Sequence, residues 1–384
     1  MTSSDRFLLI GVGGAGGRIA NQIAQSTGGR LKAVAIDTDF EAVAKLGLCQ
    51  QIRLGRNRFD GLGSGGNVTA ARMAADEENE TILKLFDDTT LALVITGLGG
   101  GTGSGATPAV LKAARSLNIR TLVFATLPFD FEEAERQQLA KRTGPLLEEA
   151  GDVIVTTPNN ALCHDAFEKP AIEAFATATN HLAAGLLLLW QLVNSPGYIR
   201  LDFATLANLL LGGRGRATFG FAQASGPQRF ELALANLLDD PQLGIRSKLR
   251  EVPALLVGIL GGEDLRLKEI GDVMTRLKIE LPPDCDLRMG TVMDPALDTT
   301  LSLATLLFHS WTPSDAADAF VEQTSTKKTA SDVPRFAAHG RRGNSKSATS
   351  PAGDRFKSTH ATIYGGEDLD VPTFMRRGLR IDSN

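Results

Sequence analysis

Between residues 6 and 158 the chain alternates two hydrophobic patterns. Short runs dense in apolar and β-branched residues read as strands: "RFLLIG" (6–11), "LKAVAID" (31–37), "LALVIT" (91–96), "TLVFATLP" (121–128) and "DVIVTTP" (152–158). Between several of them an apolar residue returns every third or fourth position, as in "TPAVLKAARSL" (107–117), which is the helical period. This alternation predicts an α/β class with a parallel sheet flanked by helices. From Pro170 to Ser195 a longer helical pattern sets Ile172, Phe175, Thr179, Leu182, Leu186, Leu189 and Val193 on one broad face, and "SPGY" (195–198) ends it. A second block over about 215–312 holds "TFGFAQAS", "PALLVGILGG" and "DLRMGTVM", separated by helical stretches, and predicts a smaller α/β unit. Residues 321–362 are rich in Ser, Thr, Gly, Ala, Lys and Arg. They hold too few large apolar residues to offset the entropy of ordering, so a disordered linker is expected there. "DLDVPTFMRRGLRID" (368–382) restores apolar residues beside charge, which suits a short partner-capturing peptide on a flexible leash.

Composition removes several function classes. Hydrophobic residues make up 43% of 384, enough for a sizeable core and two domains of ordinary size. A net charge of −4 argues against nucleic acid or an anionic membrane as the main partner. Cys49, Cys163 and Cys285 are scattered without a CxxC pair and read as reduced cytosolic thiols, so no metal site is expected. The N-terminus runs straight into a strand without a signal-peptide pattern, and the apolar run "LLLLW" (186–190) is too short to span a bilayer. The expectation is a cytoplasmic protein with no direct membrane insertion.

Chemistry concentrates in three glycine loops: "GVGGAGG" (11–17), "GLGSGG" (61–66) and "GLGGGTGSG" (97–105). Each reads as a loop between a strand and a helix. Glycine lets backbone N–H groups approach a ligand with no Cβ in the way, and a helix N-terminus favours an anion. Three such loops at strand ends predict a site for several phosphates held together, with Thr102 and Ser104 adding hydroxyls. No GxxxxGK[ST] occurs, so this is not a P-loop. Gly11, Gly13 and Gly16 also satisfy GxGxxG, with Asp37 ending the next strand. An NAD-dependent oxidoreductase is therefore the rival from another class, though it has no use for the third loop. No Ser/His/Asp or metal constellation stands out.

"GGGTGSG" resembles the signature of the tubulin superfamily. "GVGGAGG", "GLGSGGN", "PFDFEEAER" (128–136), "TTPNNAL" (156–162), "SPGYIRLDFATL" (195–206), "SGPQR" (225–229), "GGEDLRLKEI" (261–270), "MDPAL" (293–297) and "LDVPTFMRRG" resemble, in order, segments of its bacterial cell-division branch, the FtsZ family. That resemblance implies a Rossmann-like GTP-binding domain (1–170), a long central helix (171–197) and a smaller α/β C-terminal, GTPase-activating domain (198–314). A disordered linker (315–367) and a partner-binding peptide (368–384) would follow. It also implies GTP or GDP as ligand, with Mg2+ as a companion, and self-assembly into head-to-tail polymers at the division site. A membrane tether such as FtsA would bind through 368–382.

The resemblance assigns Gly13, Gly14, Ala15, Gly16, Gly17 and Arg18 to a first phosphate loop and Ser64, Gly65 and Gly66 to another. Gly100, Gly101, Thr102, Gly103 and Ser104 fall on the signature loop. It assigns Glu132 and Arg136 to ribose and base-edge contacts, Asn159 to the base pocket, Phe175 to stacking on the purine and Asn180 to reading its edge. The chain departs from the family pattern at four places. Arg18 replaces a usual Asn, and Asn180 a usual Asp. An amide both donates and accepts, so Asn180 alone does not exclude adenine. In the loop that completes a neighbour's site, Asp202 keeps the first carboxylate, Thr205 takes the second acidic position and Arg200 that of an Asn. The resemblance thus implies hydrolysis with Asp202 positioning water, or a related filament with slow or no hydrolysis.

Overall fold

The structure is a computed structural model that describes residues 6–163, 166–195, 197–239 and 244–312, together with the backbone of 363–364 and 367–368. Apart from those last positions, the linker and docking peptide expected beyond residue 314 lie outside the described residues. Elements run in the order β1 (Phe7–Val12), α1 (Gly13–Ser26), β2 (Lys32–Asp37), α2 (Phe40–Ala44), β3 (Gln50–Arg53), α3 (Arg56–Phe59), α4 (Val68–Glu77), α5 (Asn79–Leu85), β4 (Leu91–Gly97) and α6 (Gly101–Ser116). Next come β5 (Arg120–Leu127), α7 (Ala134–Ala150), β6 (Val153–Pro158), α8 (Asn159–Leu162), α9 (Ala171–Asn194), α10 (Phe203–Gly212) and β7 (Gly215–Ser225). The series continues with α11 (Arg229–Leu238), α12 (Ile245–Leu249), β8 (Ala254–Gly261), α13 (Leu267–Glu280), β9 (Asp286–Met293) and β10 (Thr300–Phe308). A separate antiparallel pair joins β11 (Ile363–Tyr364) to β12 (Glu367–Asp368).

The ten strands β1 to β10 form one sheet in the order β3-β2-β1-β4-β5-β6-β7-β10-β8-β9. Pairing is parallel from β3 to β7, and β10 runs antiparallel to both its neighbours. Both faces are covered, so the strands are apolar on both sides. On β1, Phe7 and Leu9 enter the core beneath α1 and α9, and Leu8, Ile10 and Val12 enter the opposite core. Leu93 and Val94 of β4, and Phe124 and Val123 of β5, divide the same way. A third core lies under α11 and α13, fed by Leu255 and Val257 of β8 and Leu303 and Leu307 of β10.

The helix expected over 170–195 is α9, twenty-four residues and roughly 36 Å at the standard rise. Its Leu182, Leu186, Leu189 and Val193 are buried as expected. Its first turns differ from the expected single face, because Ile172 is 88% and Phe175 53% exposed. The helix begins before the sheet covers it. Its length and apolar composition would also suit a bilayer, but Leu182, Leu186, Leu188, Leu189 and Leu192 are buried in the protein core.

Two strands escaped the hydrophobic pattern, β3 and β10. The second glycine loop also differs from expectation, since α3 stands between β3 and that loop.

Candidate functional site: a phosphate-sized cleft and a distant loop

Three chain turns meet at the carboxyl ends of β1, β4 and β5 around an open cleft of about 420 Å³. Glycine is needed at specific points. Gly13 turns strand into helix at φ +74°, and a Cβ there would lie 3.1 Å from the Gly103 nitrogen. A Cβ on Gly101 would lie 2.2 Å from Ser64 Oγ. Loop 97–105 therefore packs closely against loop 11–17 on one side and loop 61–66 on the other, and a side chain at either glycine would force them apart. Thr38, just past β2, ties loops 61–66 and 97–105 together. Its Oγ1 accepts the Ser64 N–H at 2.9 Å and pairs with Thr102 Oγ1 at 2.7 Å.

Two helices begin in the cleft. Among the described helices of ten residues or more, α1 and α6 alone have neither a capping side chain nor an acidic residue in the first turn. Their first N–H groups have no intrahelical partner, and no side chain neutralises the positive end of the dipole. Both termini are thus chemically open to an external anion.

Of the residues singled out in the sequence, the cleft brings together Gly13, Gly14, Ala15, Arg18, Ser64, Gly100, Gly101, Thr102, Gly103, Glu132, Arg136, Asn159 and Phe175. Gly16 and Gly17 lie buried in α1 behind the lining. Gly65 and Gly66 stand next to Ser64 on the exposed side of their loop. Ser104 is buried, and its Oγ accepts the Gly99 N–H at 3.0 Å, which holds the signature loop in shape. Asn180 is not part of the lining; its side-chain oxygen accepts a hydrogen bond from Gln22 Nε2 of α1.

The far end of the cleft is aromatic. Phe129 stacks on Phe131 at 4.9 Å and meets Phe175 edge-on at 5.5 Å. Phe131 is 71% exposed, so this end offers a flat apolar surface to a planar ligand. Glu132 Oε1 accepts the Phe129 N–H at 2.8 Å, and Oε2 accepts from Arg136 Nη1 at 3.0 Å. Thr38, Phe129 and Phe131 had no role assigned in the sequence. The phenylalanines could have been found in "PFDFEE", whereas Thr38 carries no local signal.

Asp37, the acid that a dinucleotide reading would give to a ribose, is buried at the end of β2. Its Oδ1 accepts N–H bonds from Thr38 at 2.7 Å and Asp39 at 3.3 Å. Burial raises its pKa, and these bonds only partly counter that.

Asp202, Thr205 and Arg200 are not in this cleft. They follow the opposite end of α9 from Phe175. Asp202 caps α10, its Oδ1 accepting the Thr205 N–H at 2.7 Å. Ile199 donates its N–H to Thr291 Oγ1 at 2.9 Å, and its carbonyl accepts the Thr291 N–H at 2.8 Å. Leu201 is buried. The loop is thus pinned to β9 while Arg200 and Asp202 stay exposed.

Comparison with known proteins agrees with this architecture. Residues 6–166 match the family model described as Tubulin/FtsZ family, GTPase domain, and residues 215–307 match FtsZ family, C-terminal domain. The cell division protein FtsZ 2 of Rhizobium meliloti (strain 1021) is 34% identical over 301 residues, covering 78% of this chain and 86% of the relative. FtsZ of Azotobacter vinelandii is 30% identical over 378 residues, covering 96% and 95%. The match to FtsZ of Rhizobium radiobacter, 34% identical, covers 76% of this chain and only half of that relative. An empty FtsZ dimer from M. jannaschii superposes with a TM-score of 0.73 at 28% identity, covering 79% of this chain and 87% of that one. A GTPγS-bound CetZ2 protofilament from Haloferax volcanii has the same fold, with a TM-score of 0.66 at 22% identity over 84% of this chain and 98% of that one. The oxidoreductase reading finds no support in these matches. Loops, open helix termini and two consecutive domain matches lead to one assignment: the chain belongs to the tubulin/FtsZ family.

Proposed function

We propose that this chain is a guanine-nucleotide-dependent filament protein of bacterial cell division, acting in the cytoplasm at the division site. The observation that carries the reading is the pair of uncapped helix termini, α1 and α6, opening into one glycine-lined cleft. A triphosphate suits that end, and a purine suits the ring surface of Phe129, Phe131 and Phe175. Mg2+ is the usual companion of a triphosphate; the Thr102 hydroxyl, which lines the cleft, is an oxygen ligand of the kind it takes.

Hydrolysis needs a positioned water, and among the described residues no carboxylate lining the cleft is free for that task. Glu132 is engaged by Arg136 and the Phe129 N–H. Asp202 stands at the other end of α9, so we assign it to the cleft of the next chain in a head-to-tail polymer. One of its oxygens caps α10, which fixes the carboxylate, and the other remains to orient water. The variant reading is slow turnover, favoured by Thr205, whose hydroxyl brings no second negative charge. The tail segment 368–382 is assigned to binding a membrane tether such as FtsA.

Sedimentation with and without GTP, with the bound nucleotide identified in the purified protein, tests the reading. Gly101→Val would break the contact with Ser64, so Gly100→Val is the cleaner variant. A Cβ at Gly100 meets nothing within 4 Å, yet this residue lines the cleft. Gly100→Val should fold, lose GTP binding by calorimetry and fail to pellet. A folded Gly100→Val chain with unchanged affinity would remove the phosphates from this cleft.

A further inference from the structure

We infer that Arg200 is a catalytic residue supplied in trans, a guanidinium that one chain presents to the γ-phosphate held by the next. The inference rests on the proposed closure of each cleft by the neighbouring chain's loop 197–202. Three observations carry it. Arg200 is exposed and has no hydrogen bond, ion pair or ring contact among the described residues. Its backbone is nonetheless held on both sides, by the Ile199–Thr291 bonds before it and by buried Leu201 after it. An unpaired cation on a fixed loop, two residues from the carboxylate assigned to the water, is placed to act on the same phosphate. Finally, the phosphate end of the cleft is poor in cations of its own. Loops 61–66 and 97–105 contain no Lys or Arg. Of the two arginines that line the cleft, Arg136 is paired with Glu132, which leaves Arg18 as the only uncommitted one among the described residues. A triphosphate brings several negative charges, and backbone N–H groups supply only partial positive ones.

In the step itself, the water oxygen forms a bond to the γ-phosphorus. The bond from that phosphorus to the β–γ bridging oxygen breaks, and its electron pair stays on the GDP oxygen. The proton lost by the water passes to phosphate or solvent. Arg200 remains protonated throughout and offsets the charge that builds on the transferring group and the bridging oxygen. Its planar fork presents two parallel N–H donors to two phosphate oxygens in a fixed geometry that a lysine ammonium does not impose.

The test measures phosphate release per pelleted full-length chain, alongside GTP affinity of the unpolymerised chain. Arg200→Ala should keep its GTP affinity and lose turnover by about 10³-fold. Arg200→Lys should recover part of that loss. Gly100→Val chains carried into the pellet by Arg200→Ala chains should raise its turnover above that of Arg200→Ala alone, because the blocked chain still offers its Arg200 to an intact cleft. Arg200→Ala with unchanged turnover per pelleted chain overturns the assignment, as does a wild type that pellets with GTP and releases no phosphate. A mixed pellet that contains Gly100→Val and still stays at the Arg200→Ala level overturns supply in trans. Asp202→Ala separates the layers. If it abolishes turnover while Arg200→Ala does not, only the arginine's role fails; if neither changes it, the closing-loop reading fails with it.

Discussion

Asp37 shows how a single buried group makes stability depend on pH. Burial raises the pKa of its carboxyl, and the N–H groups of Asp39 and Thr38 hold it down only in part. The folded chain therefore binds this proton more tightly than the unfolded chain does. The group's contribution to stability is complete below the ordinary carboxylate value of about 4 and is lost as pH rises through the raised folded value. In Asp37→Asn the amide oxygen still accepts both N–H bonds, and the titration disappears. The variant should gain stability on the wild type as pH rises from about 4 to 7, with the two converging in acid. Denaturant unfolding across that range reads the difference, and parallel curves would refute it. The glycines of the cleft were legible because few residue types allow such close backbone contact. Thr38 was not, because its importance lies in joining Ser64 to Thr102 across sequence distance. Asn180 was legible as a polar helix residue, whereas its partner Gln22 stands 158 positions earlier.

Among the elements, α11 and α13 are joined through one buried arginine. Arg229, 4% exposed, donates to Glu269 Oε1 at 2.8 Å and Oε2 at 2.9 Å, and to Asp264 Oδ2 at 2.6 Å. The sequence segments "SGPQR" and "GGEDLRLKEI" are thus two halves of a structural clamp. Arg229→Met leaves the half-buried Glu269 carboxylate with only the Arg266 N–H bond and should cost about 3 kcal/mol, the low end for a buried pair, because Glu269 and Asp264 are both partly solvated. The arginine's hydrogen bonds lower the Glu269 pKa, so this stabilisation is present above the ordinary carboxylate range and is lost as pH falls through the lowered value. The gap between wild type and Arg229→Met should accordingly narrow below about pH 4. A thermal-melt difference that stays constant down to acid would count against this account. Element identity was most legible where both faces of a strand are apolar, as in β1, β4 and β5. β10 was missed because Ser302 and Thr305, both buried, interrupt its apolar run. β3, "QQIR", buries only Ile52 and gives almost no hydrophobic signal.

At the scale of the molecule, the sheet passes from β6 to β7 through only three paired residues, Val153 to Val155 against Gly215 to Ala217. Helix α9 spans that narrow seam, packing on β7, β10 and β8 as well as on α1. The proposed assembly machinery lies within residues 6–312, while the segment proposed to bind a tether lies at 368–382. Deleting 368–384 should therefore leave GTP-dependent pelleting intact and abolish recruitment to vesicles carrying the tether. Loss of pelleting in the truncated chain would argue against that division. With the cleft near the beginning of α9 and loop 197–202 just past its end, one chain cannot close its own site. On the proposed arrangement, a row of chains holds one fewer closed site than it has members, and its two tips differ, one showing an empty-handed cleft and the other a bare loop. Such a row has a direction. Its turnover per chain climbs with its length and falls whenever it is cut, so the rate of phosphate release counts joints rather than molecules.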